Sequence, residues 1–201
     1  MRKRTPSATD DAGRMKIAMI GWGSLIWSPR ELPRRGAWLR GGPVLPVEFS
    51  RISPDGRLTL AIDTVCGVPV DTWWTLSARD DLDEATADLA RREDCEESWI
   101  GFVELASGNR SSRRHWRQVD VSGDVLDWCD KRGCDAAVWT ALPVTFAQRA
   151  GRPFTVANAL TYLRSLTGEL RESALTYVRS APVEVDTPLR RAFARDPELS
   201  R

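Results

Sequence analysis

The order of apolar and polar positions places strands in the first two-thirds of the chain. Short apolar, β-branched or aromatic runs predict strands at 15–20, 68–76, 99–105 and 136–142. Two more runs, 43–53 and 57–63, lie on either side of a Pro-Asp-Gly turn and predict a β-hairpin. The prolines and glycines of 28–42 predict a surface loop, and 107–118 is polar enough to be a second one.

Helical periodicity dominates the last third of the chain and also appears at two earlier places. Acidic residues in the first turn and arginines in the last predict a helix at 80–93. A short helix at 124–132 is predicted to end at Gly133, and helices follow from Thr155 to 182, with a short turn at 188–195. This order predicts an α+β fold with a small mixed or mostly antiparallel sheet.

Length and charge limit the possible classes of protein. A chain of 201 residues fits one domain, which we predict at 15–201, after a disordered leader at 1–14 that lacks the apolar segment of a secretion signal. No apolar stretch reaches the roughly 20 residues of a spanning helix. The net charge of +1 gives no general attraction to nucleic acid or membrane. These features predict a cytoplasmic protein.

The first predicted strand ends in an unusually bare turn, Gly-Trp-Gly-Ser-Leu-Ile-Trp at 21–27. Glycine has no Cβ, so it permits either a tight turn or the close approach of another group to the backbone. The motif therefore marks a candidate binding loop.

The predicted helix with the acidic first turn carries a carboxylate on its apolar stripe. Leu82, Ala85, Leu89 and Glu93 are spaced i, i+3, i+7 and i+11, which is close to three turns of about 3.6 residues. The stripe excludes the other charged side chains nearby, Asp83, Asp88 and Arg91. Either the helix frays and Glu93 reaches water or pairs with Arg92, or Glu93 is half-buried with a raised pKa suited to proton transfer.

The loop and the glutamate together resemble the γ-glutamylcyclotransferase superfamily, which includes ChaC-type glutathione-degrading enzymes, γ-glutamylamine cyclotransferases and BtrG-like proteins. Its signature loop is usually Tyr-Gly-Ser-Leu or Tyr-Gly-Ser-Asn, and here it stands as Trp22-Gly23-Ser24-Leu25. The following Ile26-Trp27 is similar to the ChaC sequence Tyr-Gly-Ser-Leu-Ile-Trp. The catalytic glutamate of the family matches Glu93 within Ala-Arg-Arg-Glu. The resemblance covers residues 15–105.

The resemblance implies a small, mostly antiparallel β-barrel with helices around it. It also implies an enzyme that releases 5-oxoproline from a γ-glutamyl peptide or amine, with Glu93 as general acid/base and with no metal or cofactor. The loop would hold the α-carboxylate of this small-molecule substrate through backbone N–H groups. The implied substrate-holding residues are Gly21, Trp22, Gly23, Ser24 and Leu25.

Two departures from the family pattern keep other interpretations open. Trp22 replaces the usual tyrosine, and the acidic segment after Glu93 contains Asp94, Glu96 and Glu97, one of which could be the base instead. The alternative function is a catalytically silent member of the fold that acts as a binding module for a small molecule or a protein.

Other candidate sites have weaker patterns. Ser24 lacks the Gly-x-Ser-x-Gly context of a hydrolase nucleophile. The spacing of Cys129 and Cys134 with His115 upstream does not match paired zinc knuckles, so we predict no metal site. Arg110–Arg117 is basic with a tryptophan, as in single-strand binders, but the chain is balanced in charge and no nucleic-acid partner is predicted. Tyr177 either packs in the core or closes the substrate pocket.

Overall fold

A single mixed sheet of six strands organises the protein. The computed structural model describes residues 14–108 and 121–200, so the predicted leader, apart from Arg14, and most of the predicted loop at 107–118 lie outside it. The strands are β1 (Ile17–Gly21), β2 (Arg34–Ile52), β3 (Leu58–Ile62), β4 (Val68–Ser77), β5 (Ile100–Glu104) and β6 (Ala136–Thr140). Their order is β3-β2-β4-β1-β6-β5. Strands β1 and β6 pair in parallel, and the other four neighbouring pairs are antiparallel.

Helices cover both faces of this sheet. They are α1 (Ser24–Trp27), α2 (Leu82–Glu93), α3 (Ser122–Arg132), α4 (Phe146–Ala150), α5 (Val156–Ser165), α6 (Gly168–Ser180) and α7 (Pro188–Arg195), with a 3-10 turn at Glu97–Trp99. Alternate residues of β1 face opposite layers. Ile17 and Met19 pack with α2, whereas Ala18 and Ile20 pack in the cluster that contains α3 and the C-terminal helices.

The α+β class and the mostly antiparallel sheet are confirmed, but the barrel is not closed. Strands β3 and β5 lie at opposite ends of the strand order, and no hydrogen-bonded pairing joins them within residues 14–108 and 121–200. No helix in those ranges combines the length and the apolar character needed to cross a bilayer.

The prediction of a surface loop at 28–42 is wrong for most of this range. Strand β2 begins at Arg34, and Trp38 within it is only 8% exposed. Pairing with β4 shifts register twice here, and Gly36 and Gly41 have φ values of 80° and 81°. These glycines therefore form β-bulges within a long strand. In a sequence, glycines that form bulges look the same as glycines that form a loop.

Helix predictions hold with three differences. As predicted, α3 ends at Gly133, which has the left-handed φ of 68° that is typical of a glycine at the end of a helix. The segment predicted as a turn at 188–195 is the helix α7, whose first residue is Pro188 and whose N-cap is Thr187. Helix α4 was not predicted.

The third difference concerns Asp88, which the apolar stripe of α2 did not include. Asp88 is buried at 4% exposure because it accepts hydrogen bonds from Arg79 at 2.7 Å and Arg91 at 2.8 Å. The pairing removes the penalty of burying an isolated carboxylate. The buried surface of α2 is therefore wider than its apolar stripe.

Candidate functional site

The glycine-containing loop after β1, which begins at Gly21, packs closely against two aromatic side chains. A Cβ on Gly21 would lie 3.1 Å from two ring carbons of Trp38, and a Cβ on Gly23 would lie 2.9 Å from the hydroxyl oxygen of Tyr177. Both glycines have little room for a side chain. Close approach within the fold therefore accounts for part of the glycine pattern.

The same loop also presents backbone donors. The N–H groups of Trp22 and Gly23 have no hydrogen-bond acceptor within the described part of the chain. Trp22 and Leu25 are each 4% exposed, and their side chains belong to the core. Two neighbouring free N–H groups form the beginning of an anion-binding concavity.

Glu93 is the last residue of α2 and turns inward. Its side chain is 15% exposed, and its Oε1 accepts a hydrogen bond from Arg92 Nη1 at 2.7 Å. The other guanidinium nitrogen, Nη2, donates to Ser24 Oγ at 3.2 Å and to the Ser28 carbonyl at 2.6 Å. Arg92, itself only 7% exposed, therefore links the candidate base to the candidate loop.

The acidic residues that follow Glu93 have a different environment. Asp94 caps α2 in a left-handed conformation with φ 51°, and Asp94, Glu96 and Glu97 are all exposed. Proton transfer near neutral pH favours a desolvated carboxyl. Burial therefore favours Glu93 over its neighbours as the base.

Burial raises the pKa of Glu93 above its ordinary value of 4.5. The positive charges of Arg92, Arg51 and Arg30 and the hydrogen bond from Arg92 act in the opposite direction and stabilise the carboxylate. Desolvation is the largest of these effects, so the carboxyl is more easily protonated than a glutamate in water.

Tyr177 on α6 packs against the core, which is one of the two roles that the sequence left open. Its ring packs edge-on against Trp27 at 5.4 Å and Phe49 at 6.3 Å between centroids. Its hydroxyl reaches Gly23, as described above. Burial, together with the negative charge of Glu93, raises the pKa of Tyr177 to about 12. The phenol is therefore a neutral hydrogen-bond donor at physiological pH.

Sequence reasoning missed two arginines on the β2–β3 hairpin. The Arg51 charge opposes the raised pKa of Glu93, and the Arg57 guanidinium carbon lies 5.5 Å from the centroid of the Tyr177 ring. The available signal was the charge of Arg51 within an otherwise mostly apolar strand, although the same strand also carries the fully buried Glu48.

The raised pKa of Glu93 makes stability depend on pH in a predictable direction. Because the folded state disfavours the carboxylate, the stabilisation is fully present below pH 4.5 and is lost as the pH rises through the folded pKa. We expect the unfolding free energy of the wild type to fall relative to that of Glu93→Gln as the pH rises above 4.5. Urea unfolding at a series of pH values measures this difference.

The matched control is Glu172→Gln, which changes an exposed glutamate of α6. Its stability relative to the wild type is expected to change much less with pH than that of Glu93→Gln. A difference for Glu93→Gln that is constant with pH, or that grows toward acid, would contradict the assigned environment.

The residues considered for zinc do not form one site in the described structure. Cys129 and Cys134 are buried thiols, and burial raises the pKa of both. His115 lies outside the described residues. Raised pKa values disfavour the thiolate form that binds metal.

Comparison with known proteins adds no assignment to this geometry. No protein-family model matches the sequence, and no curated protein or solved structure matches the chain.

Proposed function

We propose that the protein is a γ-glutamylcyclotransferase-type enzyme that releases 5-oxoproline from a γ-glutamyl peptide or amine in the cytoplasm. The observation that carries the proposal is the link made by Arg92, which contacts both Glu93 and Ser24. A candidate proton acceptor and a candidate carboxylate-binding loop are thereby held side by side. The proposal includes membership of the superfamily.

The loop would bind the α-carboxylate of the γ-glutamyl group. The unpaired N–H groups of Trp22 and Gly23 are suited to carboxylate oxygens, and the Ser24 hydroxyl adds a third donor at the start of α1. A neutral Tyr177 hydroxyl beside Gly23 would help to orient the same group.

Glu93 would then move protons between two nitrogen atoms of the substrate. It accepts a proton from the α-ammonium group, and the resulting amine attacks the γ-carbonyl carbon to form a five-membered lactam. The amide bond breaks as a proton is returned to the departing nitrogen. Two protons leave the attacking nitrogen and two reach the departing one, so Glu93 ends in its starting state.

This reaction needs no nucleophile from the protein. The substrate supplies the amine, and the site contributes by holding the chain folded with its reacting atoms close together. A carboxyl whose pKa is raised by burial is suited to both accepting and returning the proton near neutral pH.

The proposal is tested by incubating the protein with a panel of γ-glutamyl amino acids, peptides and amines, glutathione included, and measuring 5-oxoproline by mass spectrometry. We expect at least one compound to give 5-oxoproline at a rate proportional to protein concentration. A panel without turnover, in which some members nevertheless bind, would favour the catalytically silent binding module.

A further inference from the structure

We infer that Arg51 and Arg57 form a second anion-binding position beside Glu93, which receives a carboxylate on the leaving amine of the substrate. The inference rests on the proposed function, because it assigns the part of the substrate that departs. This anion-binding position would select γ-glutamyl compounds with an acidic leaving group over those whose leaving amine is neutral or basic.

Arg51 carries a positive charge that no direct contact compensates within the described part of the chain. It lies on β2 opposite Thr59 of β3, and its Nε is buried without a hydrogen-bond acceptor. Across residues 14–108 and 121–200, its guanidinium group makes no hydrogen bond and no ion pair. A half-buried cation is costly unless an anion pairs with it. Because the nearby Glu93 is already paired with Arg92, we assign a ligand as that anion.

Arg57 lies just before β3, on the hairpin formed by β2 and β3, and its side chain approaches the loop that follows β1. Its guanidinium group stacks on the Tyr177 ring, whose hydroxyl contacts the position of a Gly23 Cβ. Its polar contacts are long, 3.5 Å to an oxygen of Asp55 and 3.5 Å to Ser173 Oγ, and its Nε is buried without an acceptor. Arg57 therefore retains donors for a ligand.

The charge balance of the site also requires an additional anion. Arg92 is already paired with Glu93. A bound γ-glutamyl group has one α-carboxylate and one α-ammonium group, so it brings no net charge. Arg57 has a long ion pair with Asp55, whereas Arg51 is compensated only if the leaving amine carries a negative group. A guanidinium binds a carboxylate through two parallel hydrogen bonds.

Binding of two unreactive compounds tests the inference separately from catalysis. Glutaryl-alanine and glutaryl-alaninamide lack the α-amino nucleophile and cannot cyclise, and they differ only in the carboxylate of the leaving part. Isothermal titration calorimetry should give a dissociation constant for glutaryl-alanine that is at least about tenfold lower than for the amide. In Arg51→Gln and in Arg57→Gln this preference should fall to near unity.

Two further variants separate the local effect from general charge. Arg51→Lys keeps the positive charge and should retain part of the preference. Arg195→Gln removes an exposed arginine of α7 and should retain all of it. Circular dichroism checks that each variant is folded, and if Arg51→Gln is not, Arg57→Gln and the wild-type preference decide the result.

The outcomes distinguish this inference from the proposed function. Equal affinity of the wild type for both compounds overturns the inference even if 5-oxoproline is formed. Equal weakening of both compounds in Arg51→Gln also overturns it, because Arg51 would then hold the carboxylate that the two share. Preference for glutaryl-alanine without any turnover supports the subsite and rejects the proposed reaction.

Discussion

Replacing Glu93 by glutamine is expected to slow 5-oxoproline formation by about 100- to 10,000-fold, the usual contribution of a general acid or base. Glutamine has nearly the same shape and accepts the hydrogen bond from Arg92, but it does not take up a proton. Initial rates with the best γ-glutamyl substrate, followed by mass spectrometry, measure the loss.

Glu96→Gln and Glu97→Gln are the matched controls because both residues are exposed and follow α2 closely. Their rates are expected to stay within about twofold of the wild type, as for most surface substitutions away from a site. An unchanged rate in Glu93→Gln, or an equally large loss in one of the controls, would show that Glu93 is not the base.

Gly23→Ala is expected to reduce both activity and stability. The φ of Gly23 is −130°, outside the left-handed region that favours glycine, so we base the expected effect on the contacts of the added methyl group. The added methyl group would lie 2.9 Å from the Tyr177 hydroxyl and 3.7 Å from Leu60 Cδ1. We expect a loss of about 1–3 kcal/mol in unfolding free energy, typical of overpacking, and at least about a tenfold loss of activity.

The double variant Gly23→Ala/Tyr177→Phe separates packing from substrate binding. Tyr177→Phe removes the oxygen atom that the methyl group would meet, so urea unfolding should show part of the stability restored. Activity should stay low because the methyl group still lies within the loop that is proposed to bind the α-carboxylate. If the double variant is as active as Tyr177→Phe alone, Gly23 serves only packing and the loop is not the carboxylate site.

Local patterns in the sequence account for the features of the fold that depend on neighbours along the chain. The stripe of α2 placed Glu93 inward because a helix repeats about every 3.6 residues, and the structure agrees. The Pro-Asp-Gly turn between β2 and β3 is present, and Gly56 within it has the positive φ of 87° that such a turn requires.

Features that depend on distant contacts could not be predicted in the same way. Gly36 and Gly41 fit a loop and a bulged strand equally well, and only pairing with β4 decides between them. The charge of Arg51 acts on Glu93 only because the fold brings β2 and the end of α2, which are distant in sequence, near each other. The charge of Arg51 was visible in the sequence, but its lack of a partner was not.

Running the reaction in water enriched in oxygen-18 tests the central claim most directly. Because the attacking nucleophile is the substrate's own amine, mass spectrometry should find 5-oxoproline without the heavy isotope and no catalysed release of glutamate. Glutamate that carries oxygen-18 in its γ-carboxyl group would show that water attacks the substrate, and it would contradict the account.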